Sequence, residues 1–317
     1  MNALGTRRDP AEVAGAVASL LSVEVPAIGA GATASRWHTL ASWARATAVS
    51  VARLAEAHLD ATAILGEADL IADQSASLYG VWASGPASTA RLSSDGSRLE
   101  GIKPFCSGIG IVDRALVSVA ASDGTPGTLV EVQTSRLDPP TPWAARALLD
   151  TFTGPVDLAE CELTRVIATD NWYLTRPGFW HGATGPAACW AGAAAGLADI
   201  VMRSPVEDPH GLAACGELDA LVSLLHASLA VAGQNADTSF GDVNAAKRQA
   251  LICRHNVHCA ATAISNLFSQ HVGPRPFVTN IDVAQRHADL HLYLRQHHGR
   301  SDLEALGRLV GNDTHRS

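Results

Sequence analysis

Between Ser77 and Asn171 the chain stops reading as helix, and that interruption constrains its fold more than any other feature. "LYGVWAS", "TARLSS", "RLEGIKPF", "DRALVSVAA", "GTLVEVQ" and "CELTRVIA" are short runs bounded by Gly, Pro, Ser and Asp. Such runs predict strands joined by tight turns. Asp95-Gly96 stands between two of them, and an Asp-Gly pair in that setting predicts a hairpin. On both sides the period changes to that of helices. The expected fold is therefore α+β: a short helical N-terminal part over 1–76, an antiparallel, barrel-like β domain over 77–171, and a C-terminal four-helix bundle over 172–317.

The flanks carry the helical signal directly. "WHTLASWARATAVSVARLAEAHLDATAILGEA" has apolar residues at helical spacing and no Pro or Gly before Gly66, with a break expected in "VPAIGAGATAS", residues 25–35. Four long stretches follow the β block. They are "GATGPAACWAGAAAGLADIVM", "GLAACGELDALVSLLHASLAVAG", "DVNAAKRQALICRHNVHCAATAISNLFSQH" and "DVAQRHADLHLYLRQHH". Gly233, Gly273 and Gly299 are placed to end helices. The small residues of the first stretch predict close approach of neighbouring backbones.

Composition removes several function classes. The 317 residues are 47% hydrophobic and 17% charged, with a formal net charge of -8. No Lys/Arg stripe offers phosphates a track, so no nucleic-acid partner is expected. No uninterrupted apolar run of 18 residues occurs, so no membrane span is expected. "MNALGTRRDPAEVAGAV" lacks the apolar core and cleavage site of a secretory signal. The six cysteines are scattered without a CxxC, which predicts free thiols and a reducing cytoplasm. His255, His258 and Cys259 share a helix face, as do His287 and His291, while His297 and His298 are neighbours. None has a third ligand at a defined spacing, and no metal is expected. There is no GxSxG, no Walker A loop and no GxGxxG after a strand.

One stretch asks for more than a fold. In "EGIKPFCSGIGIVDRALVSVAAS" an aromatic, a thiol and a hydroxyl sit where one strand gives way to the next. With the α, β, α order, this stretch resembles the acyl-CoA dehydrogenase superfamily over roughly residues 40–310. Lys103-Pro104-Phe105-Cys106-Ser107-Gly108 falls on the family's xGxKxWITxG motif. The resemblance implies that Phe105 stacks on a flavin ring and that Ser107 bonds its edge, with Cys106 between them. Tyr79, Gly80, Val81 and Trp82 match the segment that contacts the flavin pyrimidine, with Trp82 where a small polar residue is usual. A flat apolar ring with a polar rim suits such a wall. The family segment EPGAGSD, which helps hold a CoA thioester, is reduced here to "SGPAST".

The same resemblance covers the C-terminal half. "WYLTRPGFWHGATGPAACWAGAAAGL" is similar to the family's approach to the first bundle helix, which puts Trp180 and His181 toward flavin or substrate. Gly273, Pro274 and Arg275 fall where a Gly-rich turn reaches the dinucleotide part, and Arg286 and Asp289 near an Arg-Asp pair. Eight residues past Asp289, where a catalytic glutamate belongs, stands His297, flanked by Gln296 and His298 in a register open to a shift of one. The second place for that glutamate, residues 187–202, holds only Asp199 as an acid.

Taken together, the resemblance implies a flavin-dependent oxidoreductase acting on an acyl-CoA or another small organic substrate. FAD is expected before FMN. His297 and then His181 are the expected acid/base groups, because imidazole can give or take a proton near neutrality. Arg275 and Arg286 are expected at phosphates or a subunit interface. A serine with a histidine also resembles the two-component flavin monooxygenases, which receive reduced flavin from a reductase and use oxygen. A catalytically degenerate partner subunit is the third reading. A homodimer or homotetramer is implied, as is a flavin reductase or electron-transfer partner.

Overall fold

The computed structural model describes residues 7–73, 78–84, 89–121, 123–124, 126–205 and 207–314. Ser77, most of the "SGPAST" segment and Ser122 lie outside them.

Helices α1 (Pro10–Leu21), α2 (Thr33–Ala46) and α3 (Val49–Glu67) come first. Asp9 starts α1 by accepting from the Ala11 N–H, with Pro10 where a missing N–H costs nothing. The loop between α1 and α2 coincides with the expected break. A second break falls at Thr47 and Ala48, both extended, where no Gly or Pro announces it.

Seven strands follow: β1 (Tyr79–Trp82), β2 (Ala90–Leu92), β3 (Leu99–Cys106), β4 (Arg114–Ala120), β5 (Pro126–Gln133), β6 (Gly154–Asp157) and β7 (Glu162–Ala168). Their order is β6-β3-β2-β4-β5-β7, with β1 pairing β4. The β2–β3 hairpin pairs Leu92 with Leu99, and Gly96 turns it at φ 69. Asp95 accepts from Ser93 Oγ and from the Ser97 N–H. The expected antiparallel sheet needs correcting, because β1 and β2 both pair β4 in parallel. The cause is the hairpin itself. It fills the sequence between β1 and β4, so the chain returns beside β1 running in the same direction.

The remaining helices are α4 (Trp172–Thr175), α5 (Gly178–Gly182), α6 (Thr184–Met202), α7 (Pro209–Thr238), α8 (Val243–Val272), α9 (Arg275–Thr279), α10 (Ile281–Tyr293) and α11 (Arg300–Thr314). Asp208 and Asp242 cap α7 and α8 through two backbone N–H groups each, and Gly273 ends α8 at φ 64. Gly233 ends nothing, since α7 runs on to Thr238. A Cβ there would overlap the backbone of Ala34, and one at Gly192 would overlap the Ala41 carbonyl. These glycines let α2 press against α6 and α7. The helix layer around α6 thus draws α2 from the N-terminal part.

Trp37, Trp82 and Trp190 are each at most 2% exposed in one continuous core. All six cysteines are free. By length and composition two helical segments among the described residues, 178–202 and 209–238, could cross a membrane. The most apolar window of the first is 83% buried in the fold, but that of the second is only 22% buried. Counting uninterrupted apolar runs missed both, because isolated polar residues break each run without lowering its mean hydropathy.

Candidate functional site

α3, the end of β1, α4 to α6, α8, the end of α10 and the start of α11 line a cavity of about 540 Å³. That volume suits a small organic ligand. Its walls combine rings and charges. Tyr173, Phe179, Trp180 and Tyr293 supply the rings, and Arg53, Glu56, Asp60, Arg176, Arg254 and Asp302 the charges.

Helical spacing puts Arg53, Glu56 and Asp60 along one face of α3. Opposite them, Gly178, Gly182 and Gly185 meet three carboxylates in reverse order. A Cβ would overlap Glu67 at Gly178, approach the Asp60 carboxylate to 2.9 Å at Gly182, and overlap Glu56 at Gly185. Side chains at those three positions would push the acids away, so the glycines shape the wall.

The fixed charges differ in how they are held. Arg176, 2% exposed, pairs with Glu67 and lies 3.6 Å from Asp60 Oδ1. Arg254 donates to the carbonyls of Ala183 and Gln296, both at 2.8 Å, and lies 4.7 Å over the Trp190 ring. Arg53 lies 5.4 Å over the Tyr293 ring and has no hydrogen-bond or ion-pair partner among the described residues. Glu56, only 9% exposed, has none either. Burial, then the Asp60 charge, push the Glu56 carboxyl up to about 8 against the opposing pull of Arg53, Arg36 and Arg254. Burial raises Asp60 as well, with Arg176 opposing it.

Among the residues expected to hold flavin, Val81 lines the cavity, together with Ala83 and Ser84 beyond it. Tyr79 is buried, and its hydroxyl accepts from the Asp73 N–H at 2.7 Å. Trp82 is buried, and its indole N–H donates to the Ser107 carbonyl at 2.8 Å. Ser107 Oγ lies 2.8 Å from Thr153 Oγ1, which lies 2.8 Å from Thr151 Oγ1. Burial pushes the Cys106 thiol up to about 12, so it stays protonated. Phe105 is 64% exposed with φ 57, a strained position for an aromatic residue. Phe105, Cys106 and Ser107 stand outside the cavity wall.

The expected histidines turn elsewhere. His181 is buried and stacks on Phe240 at 5.1 Å, with Nε2 3.2 Å from the Phe240 carbonyl; Trp180 and Gly182 on either side face the cavity. His297 stacks on His258 at 4.4 Å, and its Nδ1 accepts from the Gly299 N–H. Burial, then His258, push it down to about 4. His298, one residue on, lines the cavity and reaches Asp302 Oδ1 at 3.3 Å. Arg275 is exposed at the start of α9. Arg286 donates to the carbonyls of Ala44 and Thr47 at 2.6 and 2.8 Å. No group of three or more His, Cys, Asp or Glu suited to a metal occurs among the described residues.

Sequence reasoning missed Arg53, Glu56 and Asp60. Charges at that spacing on a helix read as a solvated stripe. The usable signal was three glycines, Gly178, Gly182 and Gly185, at helical spacing, which marks a face that another element approaches closely.

No protein-family model and no curated protein sequence matches the chain. Solved structures do. The complex of TdsC from Paenibacillus sp. A11-2 with FMN and indole is similar at a TM-score of 0.72, with 16% identity over 96% of this chain and 97% of that one. XiaF from Streptomyces sp., in complex with FADH2 and glycerol, gives 0.67 at 16% identity over 88% and 80%. The HsaA monooxygenase from M. tuberculosis gives 0.66 at 12% identity over 97% and 99%. Identities this low show a shared fold, the one adopted by flavin monooxygenases of the acyl-CoA dehydrogenase type.

Proposed function

We propose that the chain is a flavin-dependent oxidoreductase of the monooxygenase type, acting on a small aromatic substrate. The carrying observation is the 540 Å³ cavity with aromatic and charged walls in a fold that TdsC shares in its FMN and indole complex. The chemistry of the walls suits a flavin ring in part. Val81, Ala83 and Ser84 offer a strand edge and Trp180 an aromatic face. The hydroxyl of Ser107 is engaged within the β layer, and Arg286 is engaged by backbone carbonyls. When bound, the flavin would supply the redox and oxygen chemistry. The chain's own residues would orient the substrate between Phe179, Trp180 and Tyr293 and exclude water. His298, hydrogen-bonded to Asp302, would exchange protons at the rim.

Acyl-CoA dehydrogenation fits less well. An acyl tail would have to lie against Arg53, Glu56, Asp60, Arg176 and Arg254, whose desolvation an alkyl chain cannot repay. No glutamate stands beside His297, the position that the resemblance assigns to the base.

Self-association belongs to the same proposal. No Asp, Glu, Lys or Arg occurs between Asp219 and Asp237, yet Leu224 and Val231 are each 47% exposed. A second copy covering this face of α7 would bury them.

The test is to titrate the purified protein anaerobically with reduced FMN and reduced FAD in parallel, following protein fluorescence, and then to admit oxygen. Binding of a reduced flavin, with oxidation slowed at least about tenfold relative to free flavin, is expected. Binding of neither would overturn the proposal.

A further inference from the structure

Arg53 and Glu56 lie one turn apart on α3 and face one cavity, and neither has a hydrogen-bond or ion-pair partner among the described residues. A polar group without a partner in a largely desolvated wall is costly, and a ligand that satisfies it removes that cost. We propose that the cavity binds an aromatic carboxylate, with the Arg53 guanidinium pairing with the carboxylate and the carboxylic acid of Glu56 donating to one of its oxygens.

The inference rests on reading the cavity as the substrate site and adds the substrate class. The sign of the ligand follows from the walls. A buried carboxyl that accepts no hydrogen bond holds a charge poorly. Burial, then the Asp60 charge, push Glu56 up to about 8, so near neutral pH it keeps its proton and is a donor. The arginines stay charged. Arg176 is offset by Glu67, but Arg254 is held by two carbonyls and Arg53 lies over the Tyr293 ring. A cationic ligand would be repelled by both. A dianion would bring its second charge toward Asp60, 3.6 Å from Arg176. A planar monoanion with two oxygens suits one guanidinium fork and one O–H. The rings of Tyr173, Phe179, Trp180 and Tyr293 select an aromatic body to carry it. The titratable or charged groups facing Glu56 are Arg53 and Asp60 on α3, Arg36 on α2, Tyr173 on α4, Cys189 on α6, Arg254 on α8 and Tyr293 on α10.

The experiment is a calorimetric titration without flavin, at neutral pH and then at rising pH. It compares 2-naphthoate with 2-naphthamide, which has nearly the same shape and no charge. The protein should bind the carboxylate at least about tenfold more tightly. Its affinity should fall above about pH 8, where Glu56 loses its proton and two carboxylates meet. Glu56→Gln keeps a donor without that charge and should lose the alkaline fall. Arg53→Met should weaken 2-naphthoate about tenfold and leave 2-naphthamide within about threefold, which a collapsed cavity would not do. If Arg53→Met does not fold, the two probes on the parent and on Glu56→Gln still decide. Equal affinity for the two probes, equal loss of both in Arg53→Met, an alkaline fall retained in Glu56→Gln, or displacement of 2-naphthoate by FMN would overturn the proposal. Failure of the flavin test with success here would leave a carboxylate-binding protein. Binding of reduced flavin with equal affinity for the two probes would leave the oxidoreductase without this substrate class, so the two readings fail separately.

Discussion

At the scale of single residues, the β layer is sealed by one hydrogen bond that also explains an odd substitution. Trp82 stands where the resemblance expects a small polar residue, and its indole closes off the buried Ser107 carbonyl. Trp82→Phe should cost about 1–3 kcal/mol, the usual effect of leaving a buried acceptor unpaired, as measured by urea unfolding. A second prediction concerns acid. The folded protein holds His297 at about 4, below the ~6.5 of an unfolded chain. A depressed histidine contributes stability above the unfolded value and loses it as pH falls through the folded one. Between pH 6.5 and 4, amide exchange across 294–302 should therefore rise beyond its intrinsic pH dependence. His297→Asn should flatten that rise.

At the scale of elements, close packing of α2 against α6 and α7 depends on missing side chains. A Cβ at Gly192 would overlap the Ala41 carbonyl, which is backbone and cannot rotate aside. Gly192→Ala gains roughly 1 kcal/mol of helix propensity, but overpacking a tight core costs about 1–3 kcal/mol. A net loss of stability is expected in a urea melt, larger for Gly192→Val. The run of small residues in α6 was readable in the sequence, and so was the hairpin at Asp95-Gly96. The parallel pairing of β1 with β4 was not, because alternation marks a strand without saying which neighbour it takes. Gly233 misled for a related reason. Glycine marks either a helix end or a close crossing, and only the position of Ala34 distinguishes them.

At the scale of the whole molecule, the half-exposed apolar face of α7 should decide the oligomeric state. Light scattering coupled to gel filtration should give a mass of at least two chains. Leu224→Glu with Val231→Glu should give a folded monomer. A monomeric parent at micromolar concentration would remove the proposed self-association. The cavity is likewise a property of the whole, because α3, β1, α5, α8 and α11 each contribute a wall.

The sequence by itself determined the succession of helices, strands and helices, the β2–β3 turn, the free thiols and the likeness of fold. Those features depend on local period, turn chemistry and spacing, which any stretch of chain carries within itself. Tertiary structure decided which residues meet. It turned His297 onto His258 and left His298 at the cavity, a difference of one residue that no period resolves. It also set Glu56, Asp60 and Glu67 against Gly185, Gly182 and Gly178, more than a hundred residues away. A charged stripe on a helix becomes a buried site only when another segment, without side chains in the way, closes over it.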